Sequence, residues 1–205
     1  MSRIEQLASQ QGAKGQQLNI DLAEDLVASH DLAGIQEIVA GLTAKQKIAN
    51  DCIKVLYEVG ARQPELIADN VQVFLNGLTS KNNRLVWGSM TALAEIVNLR
   101  TAEIFAQVDL ITAVLETGSV IAIDNAVTVL AELCAANSDD AVKLWPILLT
   151  HLTTCRSKEV PQHAERTLPA VTPANQPEFV ATLQQRWSEL TAAQQKRVRK
   201  MLNAL

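Results

Sequence analysis

The apolar positions of this 205-residue chain fall into one figure that repeats. Leu56, Leu93, Leu130, Leu168 and Leu205 stand 37, 37, 38 and 37 residues apart. Four positions before each come Cys52, Ser89, Ala126, Ala164 and Met201, all small but the last. A further leucine (Leu42, Leu78, Leu115, Leu152, Leu190) precedes each register leucine by 14 to 16 residues. A period of this length marks a structural unit used several times over.

Within a period the spacing predicts two helices. Ile35, Ile38, Val39 and Leu42, and again Val71, Phe74, Leu75 and Leu78, lie on one face of a first helix. Polar turns follow at Thr43-Ala44-Lys45, Thr79-Ser80-Lys81 and Thr117-Gly118-Ser119. The second helix buries Ala49, Cys52, Ile53, Leu56 and Val59 in the first unit. Val86, Ser89, Met90, Leu93 and Ile96 do so in the second, and Ile123, Ala126, Val127, Leu130 and Leu133 in the third. One such pair cannot cover its own apolar faces, so the units must stack. The fourth unit carries Pro161, Pro169 and Pro173 and is expected to be bent or shortened. The fifth opens on Thr191-Ala192-Ala193-Gln194, a capping-box pattern, and ends at Leu205. Residues 1–30 are expected to form one or two leading helices, clearest over Ile20 to Ser29, that cap the array of residues 31–205.

Composition agrees. The chain is 48% hydrophobic and 3% aromatic, with few glycines and prolines, which excludes disorder and low complexity. No basic start with an apolar run marks a signal peptide, and no apolar stretch reaches membrane-spanning length. Three cysteines without framework spacing suit a reducing cytoplasm. The net charge of −4 argues against nucleic acid as the general partner. It is unevenly spread: residues 101–140 hold seven acids and no Lys or Arg, whereas residues 181–205 hold five bases and one acid. These read as solvated helix faces or as docking surfaces.

Helical pairs of this length, with Leu85-Val86-Trp87-Gly88-Ser89-Met90-Thr91-Ala92-Leu93 closing the second helix, resemble the HEAT and armadillo repeat families. The stretch from Ser80 to Gly88 is similar to segments of prokaryotic HEAT-like proteins. The resemblance covers residues 31–205, lacks the family's usual Val-Arg pair, and implies an all-α, α-α superhelix of about five two-helix repeats. It also implies a binding scaffold whose second helices line a concave face. On those helices the positions nine, six and two before the register leucine share the outward side. They are Lys47, Asn50 and Lys54; Arg84, Trp87 and Thr91; Ile121, Asp124 and Thr128; and Glu159, Gln162 and Arg166.

Trp87 occupies a place that is polar in the sister units. With Arg84, Lys54 and Tyr57 it has the composition of a binding hot spot, or it folds onto Tyr57 or Met90 and fills a gap. Lys45, Lys81, Arg156 and Lys158 sit on turns at helix N-termini and form a candidate basic edge, or are ordinary solvated lysines and arginines. Glu58, Glu95 and Glu132 form an acidic ladder or pair locally. No metalloprotease, Cys-x-x-Cys or phosphate-loop motif occurs. Cys155 and His163, with His151 nearby, match no known ligand spacing, so neither a metal nor a cofactor is expected. Cys52 and Cys134 read as small core residues.

The chain is thus expected to be a cytoplasmic, non-enzymatic scaffold for a protein or peptide, monomeric or weakly dimeric and independent of membranes. A second reading, by analogy with HEAT-like alkylpurine glycosylases, is DNA binding through Trp87 and Asp124. The Trp-Trp-Asp pattern of those enzymes is missing. A third class, HEAT-like chromophore lyases or chaperones, has no residue here that singles it out.

Overall fold

The structure is a computed structural model and describes residues 2–205. Among the described residues every regular element is helical and there is no strand. Helix α1 spans Gln17–Ser29, α2 Leu32–Ala40 and α3 Gln46–Arg62. Then come α4 (Glu65–Ala68), α5 (Val71–Gly77) and α6 (Asn83–Ile96). Helices α7 (Thr101–Phe105), α8 (Val108–Thr117) and α9 (Val120–Ala136) repeat that short–medium–long order. Helices α10 (Ser138–Thr154), α11 (Val160–Thr167), α12 (Gln176–Gln185) and α13 (Ala192–Leu202) complete the chain. None is long and apolar enough to cross a membrane.

The chain folds as two compact units, residues 1–126 and 127–205, and the boundary falls inside α9. In the first unit α1 packs on α3, and α3 packs on α6, its counterpart one period later. Helix α2 packs on α3 and α5 on α6, the paired helices of one period. The second unit pairs α10 with α11 and α12, and α11 with α13.

The repeat register explains most of what is buried, although Val86, Ile123 and the register leucine Leu168 are only half-buried. Cys52, Ile53, Leu56 and Val59 of α3, and Ser89, Met90, Leu93 and Ile96 of α6, are all in the core. Apolar burial of this kind stabilises by roughly 25 cal/mol per Å² removed from water. The small residue four before the leucine has a defined counterpart. A Cβ added to Gly41, just past α2, would lie 2.5 Å from the Cys52 sulfur, and one on Gly77, ending α5, would lie 2.1 Å from the Ser89 hydroxyl. Glycine on one helix and a small side chain on the next let the paired helices close.

Four expectations need correction. The first helices of the second and third units are each broken in two, as α4 with α5 and α7 with α8. Helix α1 starts at Gln17, three residues before the expected point, and residues 4–6 form only a 3-10 turn. The fourth unit's second helix, α11, is short at 8 residues, one of the two expected outcomes, but Pro161 does not bend it, because it sits in the first turn, where proline has no helical N–H bond to lose. Leu205 lies beyond α13 and is 45% exposed, so the last unit buries Val198 and Met201 but not its register leucine. The Thr191–Gln194 capping box forms in full.

Candidate functional site

The outward positions of the second helices stay out of the core: all twelve are half-buried or exposed. In the first unit they converge on the junction of α3 and α6. A Cβ on Gly88 would meet Ile53 Cγ1 at 2.6 Å, so the two helices run in close contact there. Asn82, which caps α6 by accepting from the Arg84 N–H at 3.1 Å, donates to Asn50 Oδ1 on α3 at 2.7 Å. This fixed register sets Tyr57 beside Trp87, with ring centroids 5.8 Å apart and planes tilted by 44°. The Arg84 guanidinium lies over the Trp87 ring at 4.2 Å, and Lys54 Nζ lies over the Tyr57 ring at 4.7 Å. The four side chains form one run of cation, ring, ring, cation, an arrangement worth roughly 0.5–2 kcal/mol per cation–ring contact.

Trp87 is half-buried: it packs on Tyr57, as the gap-filling reading expects, and keeps part of its surface toward solvent. Met90 is fully buried in the core. Thr91 donates to the Trp87 carbonyl at 2.8 Å and accepts from Asn125 Nδ2 at 2.8 Å, which ties α9 to this face. Asn125 was not singled out by the register; Asp124 beside it is half-buried. Thr128 lies in the second unit and accepts from Arg166 at 2.5 Å.

The charges are ordered rather than loose. Lys54 and Arg62 both bind the Glu58 carboxylate, and Arg62 reaches Glu24 at 2.9 Å. Burial pushes the Glu58 carboxyl up, but the hydrogen bonds from Lys54 and Arg62 outweigh it and hold the group below its ordinary value. Glu58 therefore pairs locally. Next to the rings, Ser9, Gln16, Lys47, Asn50, Asp51 and Arg84 line a cavity of about 310 Å³. Asp51 is buried, accepting from the Ser9 N–H and from Asn19 Nδ2, each at 2.8 Å. Asn19 in turn accepts from the Ala8 N–H at 2.9 Å. This buried pair pins the segment before α1 against α3. Sequence reasoning missed it, because Asp51 stands among the polar Lys47, Asn50 and Lys54 and reads as one more surface position.

Lys45 and Lys81 are exposed and stand just before α3 and α6, whose N-termini share one end of the first unit. In the second unit Arg156 and Lys158 are exposed, and Arg156 is paired with Glu159. Arg186, counted in the basic C-terminal run, is not a solvated charge. It is 6% exposed and donates to the carbonyls of Leu152, Thr153 and Cys155, each at 2.7 Å, while holding Glu189 at 2.8 Å. It caps the C-terminal end of α10 from α12, where the helix dipole favours a cation.

The structure also brings together three residues whose spacing matched no pattern. His151 Nε2 and His163 Nδ1 are 2.9 Å apart, and the donor atoms of His151, Cys155 and His163 all lie within 4.8 Å of one another. Burial pushes the Cys155 thiol above its ordinary value, and the Arg186 charge pulls it part of the way back. Cys52 is inert by comparison: burial, then the charge of Asp51, pushes its thiol up to about 12.

No protein-family model matches the chain, and no curated protein matches it. Among solved structures, the crystal structure of an engineered protein is similar to it, with a TM-score of 0.66 over 99% of this chain and 96% of that one. The two are 18% identical, so the likeness carries the all-helical fold and nothing about activity.

Proposed function

We propose that the protein is a non-enzymatic helical-repeat scaffold of the HEAT or armadillo type, stacked as a superhelix in the cytoplasm. In this reading it holds an acidic protein segment against the outward face of α3 and α6. The observation that carries the proposal is the half-buried Trp87, braced by Tyr57 and capped by Arg84. A prearranged aromatic of this kind loses little side-chain freedom on binding and can serve as the central anchor. Lys47 and Arg84 beside the adjoining cavity supply positive charge for carboxylates and so fix the segment's register. The short–medium–long order of α4–α6 and α7–α9 supports the armadillo-type reading of the unit.

The test is affinity capture from the native cell with the full chain, followed by titration of the captured partner. A Trp87→Ala, Arg84→Ala double variant with an unchanged circular dichroism spectrum is expected to bind at least tenfold more weakly, a loss of about 1.4 kcal/mol or more. Full affinity in that folded variant overturns the reading.

A further inference from the structure

We propose that His151, Cys155 and His163, all in the second unit, form a binding site for one zinc ion. The three residues are set by local structure. His151 lies in the last turn of α10, and Cys155 is the residue that ends the helix, its N–H donating to the His151 carbonyl at 2.8 Å. One helical turn apart, they point their donor atoms to the same side. The chain then turns and enters α11, which packs back on α10 and brings in His163. His163 is fully buried, while His151 and Cys155 are half-buried, so the cluster has a solvent-facing side through which an ion can enter.

The donor set selects the ion. Two imidazole nitrogens and a thiolate are borderline-to-soft ligands, which suit zinc and not magnesium or calcium. Tetrahedral zinc holds nitrogen at about 2.0–2.1 Å and sulfur at about 2.3 Å, which spaces its donors roughly 3.3–3.7 Å apart. The two nitrogens here are 2.9 Å apart and all three donors lie within 4.8 Å, so shifts of about an ångström or less complete the cage. Three protein ligands leave the fourth position to water.

The surroundings hold these ligands in place. Arg186 binds the carbonyls of Leu152, Thr153 and Cys155, which fixes the end of α10 on which two ligands sit. Its charge favours the thiolate, and Glu189 on the same guanidinium offsets the repulsion it would exert on a dication. The Thr167 hydroxyl donates to the His163 carbonyl at 2.8 Å and steadies the third ligand's backbone. Binding replaces the thiol proton with the metal, so affinity rises with pH until Cys155 is fully ionised.

The experiment uses the full chain, purified in chelator and titrated with Zn²⁺ by calorimetry and with Co²⁺ by absorption. One ion per chain is expected, with a thiolate-to-cobalt charge-transfer band. Cys155→Ser should abolish that band, and His151→Gln, at a half-buried position that tolerates the change, should weaken Zn²⁺ binding at least tenfold. His30→Gln, an exposed histidine elsewhere, should change nothing. A cobalt spectrum without charge transfer overturns the site. So does Zn²⁺ affinity that survives both ligand substitutions or that depends on His30.

Discussion

Gly88 shows how much rests on one missing atom. It lies inside α6, where alanine would raise helix propensity by up to about 1 kcal/mol. The added Cβ would meet Ile53 at Cγ1 (2.6 Å) and Cγ2 (3.1 Å). A β-branched side chain with both branches in contact cannot rotate clear. Overpacking of this kind costs about 1–3 kcal/mol, so the clash outweighs the propensity. Gly88→Ala is therefore expected to lower stability in urea unfolding; a gain would mean that α3 and α6 are further apart than described. Cys52 and Cys155 make the complementary point: the same residue type is sealed in one place and grouped with two histidines in the other. The register already marks Cys52 as a core position, whereas the grouping around Cys155 is completed by what α11 brings alongside.

Helix α10 depends on a residue from elsewhere. Its last carbonyls would be left without partners at a buried end, and Arg186 satisfies them from α12. Removing Arg186 leaves the α10 carbonyls without their donors, whereas the half-exposed Glu189 turns to water. Arg186→Met is expected to cost about 1–3 kcal/mol, with Arg186→Lys restoring only part of it, since one ammonium cannot copy the two-pronged contact. Urea melts of the two variants check this; equal stability of Arg186→Met and the parent chain would remove the capping role. The long helices were legible because their apolar faces recur at the period of the register leucines. The short α4 and α7 were not, since four or five residues are too few to show a helical period. Tyr57 and Trp87 were legible as neighbours because both follow from the register. Asp51 with Asn19, Arg186 with the end of α10, and the histidine–cysteine cluster were not, because each joins segments whose approach is set by turns and not by a repeat.

For the molecule as a whole, charge separates the rival readings. The chain carries −4 overall, and many of its cations are committed: Lys54 and Arg62 to Glu58, Arg186 to Glu189, Arg197 to Glu165. Affinity for duplex DNA rests on cations that can neutralise phosphates and release counterions. No salt-sensitive mobility shift of a duplex at moderate salt is therefore expected; a clear shift would favour the DNA-binding reading over a protein partner.

The paired contacts of Gly41 with Cys52 and of Gly77 with Ser89 have a bearing on how such a chain tolerates change. The first pair is separated by eleven positions in the sequence and the second by twelve, yet both close on the same kind of contact. The turn between the two helices takes up the extra residue. A residue gained or lost in such a turn is thus absorbed where it occurs, and the helices after it keep their alignment. The steric constraint lies elsewhere: a larger side chain at the glycine needs a smaller one on its partner, whatever the length of the turn between them.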